Sequence, residues 1–265
     1  MSEKIGESFW PIMAKETIHH SGLRSVFEQG GFKAAGSYFL ELLKAQVDYI
    51  HESAASFWSD RAKLQTKPGL IISNHPGYVE IPAILQTIER RDLKIMVNQV
   101  LYEEFSREFG RQYFIPNVKT RPELIKNIKT IIEHIQQGGA FMIFPDGGHK
   151  SIRPGQPPQF MGGFRALLNR LRPDDMIYSF FINPEQSEGF RRSLSQDFSG
   201  LVLAKISQDK FDINDHKEVR RFAVDENYSE ASEWQSLLKS KNSNNSQGDN
   251  ALLTENYYRK FRSGF

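Results

Sequence analysis

His75 and Glu80 stand five positions apart in the stretch "LIISNHPGYVEIPAIL", where an apolar run that reads as a buried strand ends on a histidine. A carboxylate near an imidazole fixes its tautomer and stabilises its protonated form. With an unperturbed pKa near 6.5, such a histidine can serve as a general base. A second polar loop, "PDGGHKSIRPG", follows another apolar run, "AFMIF", and carries Asp146, His149, Lys150 and Arg153. The chain has no cysteine, which removes thiolate nucleophiles and thiolate metal sites. No serine sits in a G-x-S-x-G turn either, so the nucleophile is read as belonging to the substrate, most simply a hydroxyl.

Positioning these groups requires strands that end where the loops begin. The run "GLIIS" reads as a buried strand, and a helix is expected from Glu80 to Arg90. "KIMVN" reads as the next strand, followed by a helix over "VLYEEFSREFG" and the short strand "YFIP". The clearest helix opens at "TRPELIKNIKTIIEHIQQGG": Thr120 and Glu123 have capping-box spacing, and Pro122 lies in the first turn. Its expected apolar face is Leu124, Ile125, Ile128, Ile131, Ile132 and Ile135, with Gly138 and Gly139 as its stop. After "AFMIF" come the helix "GGFRALLNRL" and the strand "MIYSFFINP". Short apolar strands alternating with helices predict an α/β fold, a mostly parallel mixed sheet covered by helices. In such sheets ligands gather outside the carboxyl ends of the strands, where both candidate loops lie.

Residues 33–50 are expected as a helix, within an N-terminal helical extension assigned to residues 1–60. The α/β domain is expected over 61–240, with strand candidates at "LVLAKI" and "EVRRFAV" and a helix around "SEASEWQSLLKS". Residues 241–265 are expected as a flexible linker, "KNSNNSQGDN", and an aromatic and basic tail, "ENYYRKFRSGF". Tyr257, Tyr258, Phe261 and Phe265 among Arg259, Lys260 and Arg262 suit an anionic membrane interface, a short helix docked on the domain, or a disordered tail.

The 265 residues carry 34 Lys and Arg against 32 Asp and Glu, too even a balance to draw in nucleic acid by its overall field. The start of the chain lacks a secretory pattern, and no apolar run approaches the roughly 18 residues of a membrane span. A cytoplasmic protein is expected, with peripheral contact at the inner face of a membrane left open. His19, His20, His51, His134 and His216 show no metal-ligand spacing, and no metal is expected.

The blocks, in this order, resemble the glycerolipid acyltransferase family, the lysophosphatidic acid acyltransferase-like enzymes. "NHPGYVE" is similar to their N-H-x4-D block, with Glu80 where the family carries Asp. "IFPDGGHKS" is similar to F-P-E-G-T-R-S, and "FIPNVKTRPE" to the block with an acceptor-binding Arg. "QFMGGFRALL" and "IYSFFINP" are similar to the helix and strand that follow. The resemblance covers residues 68–184.

It implies that His75 deprotonates an acceptor hydroxyl as it attacks an acyl thioester, with Glu80 orienting the imidazole. Asn74 and Gly77 would shape the turn, and Asp146 and Gly147 match the E-G pair. Lys119, Arg121, His149, Lys150 and Arg153 are the implied phosphate-binding groups, with His149 or Lys150 where the family carries Arg. The implied reaction moves a fatty acyl group from acyl-CoA or an acyl carrier protein, as co-substrate, to glycerol phosphate or a lysophospholipid. No cofactor is implied. The altered blocks leave two alternatives: a lipid-binding protein on the same fold, or an ester or thioester hydrolase.

Overall fold

The computed structural model describes residues 22–42, 46–50, 54–74, 80–118, 120–145, 160–183, 221–240 and 246–262. In chain order these form helix α1 (Leu23–Leu42), strand β1 (Gln46–Ile50), α2 (Ala54–Thr66), β2 (Gly69–Ser73), α3 (Glu80–Leu85) and β3 (Lys94–Asn98). Next come α4 (Gln99–Phe109), a 3-10 turn (Arg111–Tyr113), β4 (Phe114–Asn117), α5 (Arg121–Gln136), β5 (Ala140–Ile143) and α6 (Gly162–Leu168). β6 (Met176–Asn183), β7 (Arg221–Glu230), α7 (Ala231–Ser240) and α8 (Ser246–Arg262) complete them.

The seven described strands make one sheet in the order β1-β7-β6-β2-β5-β3-β4. Every pairing is parallel except β6 with β7. The expected α/β class, a mixed and mostly parallel sheet under helices, is what the chain adopts. Central strands of such a sheet are covered on both faces and carry unbroken apolar runs. All of "GLIIS" and all of "AFMI" are buried accordingly. Alternation sorts the side chains of β2: Ile71 joins the core under α1, α3 and α4, while Leu70 and Ile72 join the core under α5 to α8.

Several local expectations change. The helix expected over 33–50 starts earlier, kinks at Gly31, ends at Leu42, and gives way to strand β1. "QVDYI" sends Val47 and Tyr49 into the core at a period of two, and parallel pairing with β7 favours that period over the helical one. The described part of the first sixty residues thus supplies an edge strand of the sheet, and α1 supplies Phe27, Phe32 and Leu40 to its core. Helix α3 is shorter than expected, closing at Leu85. The strand expected at "EVRRFAV" begins at Arg221 and runs on to Glu230. "LVLAKI" lies outside the described residues. Residues 246–250, expected as linker, open α8 instead. Asp249 in its first turn pairs with Arg165 of α6 at 2.9 Å, and an acidic group there also favours the helix dipole.

α5 starts and stops where expected, but its cap differs. Thr120 makes no side-chain bond to the helix N–H groups, and its hydroxyl donates to Glu123 instead. Ile128, Ile131, Ile132 and Ile135 are buried, whereas Ile125, expected on that face, is 58% exposed. Gly138 ends the helix at φ 99, a conformation that an L side chain rarely adopts.

The amino edge of the sheet is stitched by polar side chains. Arg90 forks onto both oxygens of Asp92 and donates to the carbonyls of Lys67 and Gly138. His134 sits between the carbonyls of Asp92, at 2.7 Å, and Ala140, at 3.2 Å. The segments leading into β2, β3 and β5 are therefore tied together at that edge, and the opposite edge carries the loops that hold the candidate chemistry.

Candidate functional site

β2 and β5 are neighbours, parallel and in register from Gly69 opposite Ala140 to Ile72 opposite Ile143. Their carboxyl ends therefore emerge side by side, about 4.8 Å apart across the sheet. From β2 the chain passes through Asn74 into residues 75–79, and from β5 it passes through Phe144 and Pro145 into residues 146–159. Two segments far apart in sequence leave one edge of the sheet through adjacent positions.

His75, Gly77, Lys119, Asp146, Gly147, His149, Lys150 and Arg153 lie outside the described residues. Asn74 is buried at the end of β2. The Ser73 hydroxyl donates to its carbonyl at 2.8 Å. Glu80 is the first residue of α3, which packs on α1 through an unusually close backbone approach. A Cβ built on Gly36 would stand 2.6 Å from the Gln86 nitrogen and 2.7 Å from the Pro82 oxygen, so only glycine lets the two helices meet at this separation. Tyr49 adds a second hold: its hydroxyl donates to the Ala83 carbonyl at 2.6 Å.

Arg121 opens α5 and is exposed. Its strand, β4, ends at the same edge of the sheet as β2 but three places away in the order β2-β5-β3-β4, roughly 14 Å along the edge at the usual strand spacing. Ile125, one turn after Arg121, and Met161 are the exposed large apolar side chains of the described residues. Met161 adjoins the second loop: its N–H donates to the Pro145 carbonyl at 2.8 Å, which closes residues 146–159 at their base.

Sequence reasoning missed what fastens these loops. The hydroxyl of Tyr257 in α8 accepts the backbone N–H of Asn74 at 2.8 Å and donates to the carbonyl of Phe180 in β6. The hydroxyl of Thr254, one turn earlier, accepts the backbone N–H of Phe160 at 2.8 Å. Leu253, Tyr257 and Phe261 are buried at a spacing of four, and that spacing was the available sign of a docked helix face. Of the three readings of the tail, docking is what the described part does. Phe261 stacks on Phe181 at 5.3 Å, and Lys260 lies 5.2 Å from the Trp234 ring with its ammonium held below the usual lysine range by burial.

Among the described residues, no cluster of His, Asp and Glu is arranged to hold a metal, and no helix is long and apolar enough to cross a membrane. No protein-family model matches the chain, and no curated protein sequence matches it. Among solved structures, the 1-acyl-sn-glycerophosphate (LPA) acyltransferase of Thermotoga maritima is similar over 96% of both chains, with 11% identity and a TM-score of 0.46.

Proposed function

We propose that this protein is an O-acyltransferase that moves a fatty acyl group from a thioester, acyl-CoA or acyl carrier protein, to a hydroxyl of a glycerol phosphate or lysophospholipid. The observation that carries the reading is the adjacency of β2 and β5, whose carboxyl ends lead into "NHPGYVE" and "PDGGHKS". A general base and an anion-binding loop need to work on one substrate, and neighbouring parallel strands are the arrangement that delivers two such loops to one place.

In this reading His75 takes the proton of the acceptor hydroxyl as its oxygen attacks the thioester carbonyl. The tetrahedral intermediate then collapses, the C–S bond breaks, and the imidazolium returns the proton to the departing thiolate. Glu80, at the start of α3, orients the imidazole. Asn74 and Gly77 shape the turn, and Asp146 and Gly147 form the base of the second loop. Lys119, Arg121, His149, Lys150 and Arg153 receive the acceptor phosphate. The exposed Ile125, one turn from Arg121, suits an acceptor that is charged at one end and apolar at the other. A lipid acceptor would bring the protein to a membrane surface as a peripheral enzyme.

The test is purified protein with a long-chain acyl-CoA, with and without a panel of hydroxyl acceptors, followed by thiol release and product mass. Acceptor-dependent thiol release together with an acylated acceptor is the expected outcome. Free fatty acid released at the same rate without acceptor identifies a hydrolase, and lipid binding with no thiol release identifies a non-catalytic binding protein. Either result would reject acyl transfer.

A further inference from the structure

The two hydroxyls of α8 reach the chain at both candidate loops. Tyr257 stands 183 positions from Asn74, the residue before His75, and Thr254 stands 94 positions from Phe160, the residue after the second loop. Residues three apart on a helix lie on one face and are separated by roughly 4.5 Å along the axis. The two hydroxyls, on one face of α8, hold backbone at the end of β2 and at the residue that follows residues 146–159.

The bonds also stand where the sheet stops holding itself. Ser73 is the last residue of β2 in register with β6, opposite Phe180. Beyond it the Tyr257 hydroxyl enters the ladder, taking the N–H of Asn74 and giving its proton to the Phe180 carbonyl. Both backbone groups are buried and need a partner, and the hydroxyl supplies it to both where the β2–β6 ladder ends. Thr254 is itself held, donating to the Asn250 carbonyl at 2.7 Å while it accepts from Phe160. Phe160 is buried against Tyr257, with ring centroids 5.3 Å apart. Asp249, with its side chain 4% exposed, anchors the start of the same helix to Arg165.

We propose that Tyr257 and Thr254 are positioning residues: α8 sets the backbone from which the His75 loop departs and to which the second loop returns, and so aligns general base and anion loop. The inference rests on the acyltransferase reading for its chemistry, and on the hydrogen bonds alone for its geometry.

Tyr257→Phe and Thr254→Val remove a hydroxyl each and keep the shape. Thr254→Ser keeps the hydroxyl. Tyr178→Phe is the control, since it removes a hydroxyl bonded at 2.8 Å to the Lys63 carbonyl, away from both loops. Positioning predicts that Tyr257→Phe lowers kcat by about tenfold or more with KM for the thioester within about threefold. It also predicts a displaced pH profile and His75 titration, and amide exchange at Asn74 faster by about tenfold. Thr254→Val should do the same at Phe160, and Thr254→Ser should restore it. Tyr178→Phe should lower the unfolding midpoint without moving kcat, the His75 titration or the Asn74 amide. Values for Tyr257→Phe that match those of Tyr178→Phe would overturn the proposal. If the wild-type protein transfers no acyl group, the functional reading falls by itself, and amide exchange with the His75 titration still decides the positioning role.

Discussion

Arg61 of α2 and Glu226 of β7 meet at 2.9 Å, the glutamate side chain fully enclosed and the arginine side chain 22% exposed. Arg61 lies 4.5 Å over the ring of Tyr49, and the Tyr228 hydroxyl donates to the second carboxylate oxygen. Glu226 is opposite Phe180, which is opposite Ser73. The pair therefore sits level with the last residue of β2, on the face covered by α1 to α4. Burial and the neighbouring carboxylate push the Tyr228 phenol far above its usual range, so it stays a hydrogen-bond donor.

Breaking a buried pair from one side leaves a charge without compensation, which costs more than the pair contributes. Arg61→Met is expected to lower stability by about 3 to 5 kcal/mol in urea unfolding, and Arg61→Met with Glu226→Gln to recover part of that loss. Additive losses in the double variant would show that the two side chains act separately.

His75→Ala is expected to reduce turnover by roughly 100-fold to 10,000-fold, the range of general acid–base groups. A variant within about threefold of wild type would remove His75 from the role of base. Neutralising Lys119, Arg121 or Lys150 should instead weaken the use of phosphorylated acceptors. Equal losses on neutral acceptors would argue against phosphate binding there.

Gly36→Ala places a methyl group against the backbone of Gln86 and Pro82, and overpacking of this kind costs about 1 to 3 kcal/mol. Because α3 begins at Glu80, displacing it should also lower turnover more than an equally destabilising change in α7. A lowered unfolding midpoint with unchanged kcat would separate the α1–α3 contact from the chemistry.

His134 has its pKa lowered, chiefly by burial and then by the Lys94 charge. The sign follows from proton binding. In the window between the depressed folded value and the ordinary value near 6.5, the unfolded chain binds the proton and the folded chain does not, so stability falls as pH falls. The contribution is complete above about pH 6.5 and is lost below it. The unfolding midpoint of the wild type should therefore drop more steeply between about pH 7.5 and about pH 5.5 than that of His134→Gln. Parallel curves would contradict a depressed histidine at this position.

Wherever a segment's neighbours along the chain decided its structure, the sequence alone determined the outcome. "GLIIS" and "AFMI" are short apolar runs bounded by breakers, and α5 carries isoleucines at helical spacing between Pro122 and Gly138. The α/β class followed from that alternation, and so did the placement of His75 and the second basic loop just after strands. Residues 46–50 were not legible in the same way, because five residues fit a helical or a strand period until β7 offers its edge. Ile125 was misplaced because periodicity marks a face of a helix and not how far the core extends along it.

Only the tertiary structure decided that β2 and β5 are neighbours, that Gly36 admits α3, and that a tyrosine near the end of the chain holds the residue before the candidate base. Strand order and hydrogen bonds across 183 positions depend on how the covered faces fit together. The spacing of Leu253, Tyr257 and Phe261 marks a helix face to be buried, but no local period names the strands that face will cover.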